Sequence, residues 1–238
     1  MKKTFSIIAL ILLAFSAARA DEFLEKVSPG FQTDDDKKAF ESCRKDAQKG
    51  DAKAMGALGL MYQRGRGVLA DDAKAYLWLR RGAMKGDPSA QNNLGYLYLH
   101  GKGVKEDKAQ ALYWFEKAAL QGLAAAQENM GLLYGRGMGV KKDYVKALEW
   151  FRKAAEQGDD EAEVNLGIMY SLGEGGPKDY IESYKWFCLA LRNGDRENAK
   201  VDELRGDIEW LEKRMSGKEV AEAKKRARDW KATVGVKD

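Results

Sequence analysis

The sequence predicts an all-α protein, a right-handed α-solenoid of stacked helical hairpins with a 36-residue period. Gly50, Gly86, Gly122, Gly158 and Gly194 recur at that interval without insertion. Further columns keep the spacing: Leu58, Leu94, Met130 and Leu166; then Gly59, Gly95, Gly131 and Gly167; then Tyr62, Tyr98, Tyr134 and Tyr170; then Trp78, Trp114, Trp150 and Trp186. Within one unit, Ala54, Leu58 and Tyr62 stand at four-residue steps, on one face of a first helix. Ala147, Trp150, Phe151, Ala154 and Ala155 recur at three and four, the buried face of a second. The turn Gly65-Arg66-Gly67-Val68 separates the two, and returns as Gly101-Lys102-Gly103-Val104 and Gly137-Met138-Gly139-Val140.

The elements follow in order along the 238 residues. Residues 1–20 read as a signal peptide: Lys2-Lys3 form a positive start, Phe5 to Phe15 an apolar core too short to span a membrane, and Ala18-Arg19-Ala20 a cleavage site. Cleavage after Ala20 places the product in the periplasm or outside the cell. Residues 21–34 are an extended leader. Residues 35–50 are a lone second helix, because Ala39 to Cys43 align with Ala147 to Phe151. Four full units occupy 51–86, 87–122, 123–158 and 159–194. Residues 195–232 supply capping helices over the last apolar face, as solenoids require, and 233–238 form a tail.

Glycine at the end of each second helix suits a left-handed C-terminal residue, and Asp51, Asp87, Asp159 and Asp195 are placed to cap the next helix. Gly59 and its column sit in mid-helix, where glycine costs ~1 kcal/mol against alanine, so close helix packing is the expected reason. The Tyr and Trp columns, at helical spacing, belong to the core. In the fourth unit, Gly173-Glu174-Gly175-Gly176-Pro177 replaces the usual turn and leaves the local hairpin geometry open.

The running pattern A-x3-L-G-x2-Y-x2-G-x-G-V-x2-D-x2-K-A-x2-W-x2-K-A-A resembles the Sel1-like repeat family, a branch of the tetratricopeptide-like solenoids. Residues Ala126 to Ala155 carry it nearly intact, with Met130 in place of Leu. The resemblance implies a non-catalytic adaptor that binds a protein or peptide on the concave wall of first helices, and in exported bacterial members an envelope or host protein. It also raises an alternative, since some cysteine-rich relatives are linked to penicillin binding or hydrolysis.

Candidate partner-binding residues lie on the first helices. Asn93, Asn129 and Asn165 form a ladder of carboxamides able to hold a peptide backbone or to bond a neighbouring repeat. Gln91, Gln127 and Glu163 form a column that changes character between units, the place to look for specificity. Arg64, His100, Arg136 and Ser171 read as a variable set at the first-helix ends.

Other functions find little footing. Lys2, Lys3 and Arg19 account for most of the net charge of +4, leaving 38 basic against 37 acidic residues, too balanced for non-specific nucleic-acid binding. Ser42-Cys43-Arg44-Lys45 matches S-x-x-K, but the companion S-D-N and K-T-G motifs are absent from the mature chain. No cofactor is expected: metal-ligand spacing is missing, and the glycine turns lack the spacing and preceding strand of a nucleotide loop. The C-terminal helix interleaves Glu219, Glu222 and Asp229 with its bases, so no membrane partner is expected. Cys43 and Cys188 fall at opposite ends of the stack, about 40 Å apart at ~10 Å per helix layer, beyond disulfide reach. A monomer is expected, with a Cys188-to-Cys188 dimer as the less favoured reading.

Overall fold

The computed structural model describes residues 33–193 and 198–231. The expected signal peptide, most of the leader and the tail from 233 lie outside the described residues. Among the described residues there are eleven helices and no strand: α1 (Asp34–Lys49), α2 (Ala52–Arg64), α3 (Asp72–Met84), α4 (Pro88–His100), α5 (Lys108–Leu120), α6 (Ala124–Arg136), α7 (Tyr144–Ala155), α8 (Asp160–Leu172), α9 (Tyr180–Asn193), α10 (Asn198–Glu212) and α11 (Gly217–Asp229). The pairs α2/α3, α4/α5, α6/α7 and α8/α9 are the hairpins, and each second helix packs on the first helix of the next unit. At the far end α9 packs on α10 and α11.

Aspartate caps both helices of nearly every hairpin. Asp51, Asp87 and Asp159 accept the N–H of Ala54, Ala90 and Ala162 at 2.7, 2.7 and 2.9 Å. Asp71, Asp107, Asp143 and Asp179 do the same for Lys74, Gln110, Lys146 and Glu182 at 2.9 to 3.1 Å. Each such cap is worth ~1 kcal/mol. At α6 the cap position is Leu123, which offers no side-chain bond.

The fourth turn is regular. Gly173 and Gly175 hold φ of 75° and 82°, beside 70° and 73° at Gly137 and Gly139. The Asp179 N–H reaches the Tyr170 carbonyl at 3.0 Å, as Asp143 reaches Tyr134. Only the valine after the second glycine is lost, and Gly176 in its place leaves the hairpin geometry unchanged.

The mid-helix glycines mark the close contact within each hairpin. A Cβ at Gly59 would lie 2.6 Å from Leu79 Cγ, and one at Gly131 2.6 Å from the Phe151 ring. The core runs through the stack as buried Leu58, Leu94, Met130 and Leu166 on first helices and Leu79, Phe115, Phe151 and Phe187 on second helices. The Tyr and Trp columns sit at its margin, half-buried, except Trp186, which is buried.

Candidate binding surfaces

The first helices present three accessible columns, set by position on the helix and repeated by the period. One is Ala57, Asn93, Asn129 and Asn165. The next is Leu60, Tyr96, Leu132 and Ile168. The third is Arg64, His100, Arg136 and Leu172, so Leu172, and not Ser171, continues the arginine column. Tyr96 and Ile168 remain 38% and 40% exposed and Leu172 55%, so packing alone does not account for these apolar side chains. The Tyr96 ring stands 4.2 Å from that of His100, and Lys102 Nζ lies 5.3 Å above it.

Two clefts open along this face. One of about 340 Å³ lies between α1 and α2, lined by Ala39, Cys43, Ala57, Leu60, Met61, Arg64 and Arg66. The other, about 440 Å³, lies between α6 and α8 and includes Leu132, Arg136, Lys142, Asn165, Ile168 and Glu174. The first helices are not evenly spaced along the stack. At Gly56, a Cβ would meet Asp87 Oδ1 at 3.0 Å and the Ala90 Cβ at 3.2 Å, so α2 and α4 pack directly. Asn92, Glu128 and Val164 occupy that position in later units, where the first helices make less direct contact.

Gln91, Gln127 and Glu163 are buried. They are 4%, 6% and 0% exposed. Gln91 donates to the Ala83 carbonyl of the preceding unit at 3.1 Å and accepts from Gln121 at 2.7 Å. Gln127 repeats the arrangement with Ala119 at 3.2 Å and Gln157 at 2.8 Å. The column expected to carry specificity is therefore interior, and its carboxamides link one unit to the next. The first unit carries buried Met55 at this position, the sequence signal that marks the column as core.

Asn93, Asn129 and Asn165 are half-buried on the accessible side. Asn93 and Asn165 each donate to a carbonyl one turn back, Ser89 at 2.8 Å and Glu161 at 2.9 Å, and Asn129 donates to Asn92 Oδ1 at 3.0 Å. Each amide keeps capacity for a further bond. The Leu60 column is absent from the expected residues. It occupies a position that the repeat pattern leaves free, and apolar side chains recurring there were the signal.

Beside this face, Glu128 has its carboxyl pushed up to about 7, first by burial and then by the Asp159 and Glu161 carboxylates. Cys43 donates to the Ala54 carbonyl at 3.2 Å, and burial pushes its thiol up. Cys188 packs against the capping helices, and burial raises its thiol too. Ser42 and Lys45 are both exposed on α1, and neither lines the adjacent cleft. Among the described residues, no group of three or more His, Cys, Asp or Glu side chains is placed to hold a metal. No described helix is long and apolar enough to cross a membrane.

The Sel1 repeat family model matches four consecutive stretches, residues 52–87, 88–123, 124–159 and 160–195. The chain belongs to the Sel1 repeat family. Among solved structures it resembles a Sel1 repeat protein from Oxalobacter formigenes at 36% identity and a TM-score of 0.68, over 81% of this chain and 78% of that one. It is also similar to a protective antigen of uropathogenic Escherichia coli with the same repeat fold, at 32% identity and a TM-score of 0.72. That match covers 88% of this chain but only 44% of the antigen's length. An immunity protein from Pseudomonas aeruginosa, 19% identical with a TM-score of 0.50 over 87% of this chain and 81% of that one, shares the fold alone. No curated protein matches. Sel1 repeat proteins are generally non-catalytic protein-interaction scaffolds.

Proposed function

We propose that this Sel1 repeat protein is an exported, non-catalytic adaptor that binds a protein segment along its first-helix face. The observation that carries the reading is the continuous column of Leu60, Tyr96, Leu132 and Ile168 between a row of asparagines and a row ending in Arg64, His100 and Arg136. Apolar side chains left partly open in every unit give a long strip of hydrophobic contact. The asparagine amides supply donors and acceptors for a main chain beside it, and the arginines favour carboxylates. Stacked repeats hold the strip rigid, which lowers the entropy lost on binding.

The adaptor acts after the signal peptide has been removed at Ala20 and works as a monomer in the periplasm or outside the cell. Mass spectrometry of the exported protein tests the first part, with Asp21 as the expected first residue. Co-purification tests binding: a protein recovered with the wild type and lost with Tyr96→Glu/Leu132→Glu/Ile168→Glu supports the reading. Equal recovery with both, at equal thermal stability, rejects it.

A further inference from the structure

The second helices of the first two units carry an apolar patch that the repeat itself does not require. Leu77 and Met84 on α3 are 52% and 67% exposed, and Tyr113 and Leu120 on α5 are 47% and 72% exposed. A seven-residue step is nearly two turns, so each pair lies on one face of its helix, and the 36-residue period sets the pairs side by side. In the third unit the same positions hold Glu149 and Glu156, while in the fourth Lys185 is buried beside Trp230 and Arg192 donates to the Ala227 carbonyl of α11. The third unit thus accepts charge at both positions, and folding alone gives no reason for four large apolar side chains in solvent.

Between α3 and α5 the patch opens into a cleft of about 520 Å³ whose lining includes Arg80, Met84, Gln110, Tyr113, Trp114 and Lys117. The buried Trp114 indole N–H has no acceptor within the protein. The charged residues that line the cleft are Arg80 and Lys117, and no carboxylate is among its lining residues. Lys117 Nζ lies 5.0 Å over the Tyr113 ring, which gives that cation a defined position at the rim.

We infer that this face is a second docking surface, for a partner segment that combines large apolar side chains with carboxylates. The apolar groups fill the cleft over Met84 and Tyr113, and the carboxylates meet the cationic rim. A second copy of this chain is a poor occupant, since a two-fold contact through the patch would set the same cations against each other. The surface is separate from the first-helix strip, so one molecule can hold two partners at once.

A random peptide library selected on the purified protein is the test, with selected peptides measured by fluorescence polarisation. Peptides rich in Asp or Glu together with Leu, Phe or Trp are expected. Their Kd should rise about tenfold or more in Leu77→Glu/Leu120→Glu, the charges that the third unit already tolerates, and no more than about twofold in Tyr96→Glu/Ile168→Glu. Binding should also weaken as salt is raised. Thermal melting confirms that both variants fold. The inference is overturned if no selected peptide depends on the patch, if patch-dependent peptides are basic, or if the patch instead drives a concentration-dependent dimer that Leu77→Glu abolishes.

Discussion

The Gln127 carboxamide joins three segments of chain: its nitrogen donates to the Ala119 carbonyl at the end of α5, and its oxygen accepts from Gln157 at 2.8 Å. Gln91 does the same one unit earlier. Adjacent hairpins are thus coupled by buried polar bonds as well as apolar packing, and each bond strengthens in the low dielectric of the interface.

Gln127→Ala removes one of two partners from the Ala119 carbonyl, which keeps the Gly122 N–H at 3.0 Å, and from the Gln157 amide, which keeps the Lys153 carbonyl at 3.4 Å. The expected loss is about 1–2 kcal/mol in urea unfolding, the net worth of the two bonds lost. Asn165→Ala, which removes a bond within its own helix, should change stability by less than about 0.5 kcal/mol. Equal effects would show that the glutamine column does not couple the units.

Two glycines one turn apart on α6 should respond oppositely to alanine. At Gly131 a Cβ would stand 2.6 Å from the Phe151 ring, so Gly131→Ala overpacks the hairpin and costs about 1–3 kcal/mol. At Gly135 the nearest atom is the Ala147 Cβ at 3.7 Å, an ordinary contact. Gly135→Ala should therefore stabilise by about 0.5–1 kcal/mol through helix propensity. Calorimetric melting of both variants checks the pair.

Glu128 makes stability depend on pH. Its carboxyl in the folded protein is raised to about 7, first by burial, so the fold favours the protonated form. The contribution is present below the ordinary glutamate range and is lost as pH rises from there to about 7. Glu128→Gln keeps a neutral side chain throughout. Its stability relative to wild type should rise by about 1–2 kcal/mol between about pH 5 and pH 8, a value reduced for partial solvent screening. A flat difference across that range contradicts the assignment.

The fold was legible in the sequence because the same constraints recur in each unit: a left-handed glycine after the helix, an aspartate cap and a close-contact glycine. The fourth turn was harder to read because Gly176-Pro177 obscures a glycine pair, Gly173 and Gly175, that keeps the usual spacing. The candidate site was read less well. Residues 91 and 93 are separated by about 200° around a helix, so one carboxamide faces the core and its near neighbour the surface. Identical chemistry hides that difference, and only Met55 in the first unit betrays which column is inside. The exposure of the Leu60 column is hard to read from sequence because apolar residues at helical spacing normally report burial, whereas Tyr96 and Ile168 stay open.

The most direct test of the central claim is photo-crosslinking in the native cell, with a crosslinkable residue at position 96 or 168 on the first-helix strip and a control at exposed position 218 on the capping helix α11. The account predicts one and the same protein captured from both strip positions and absent from the control. Capture that is no stronger at 96 and 168 than at 218 would contradict it.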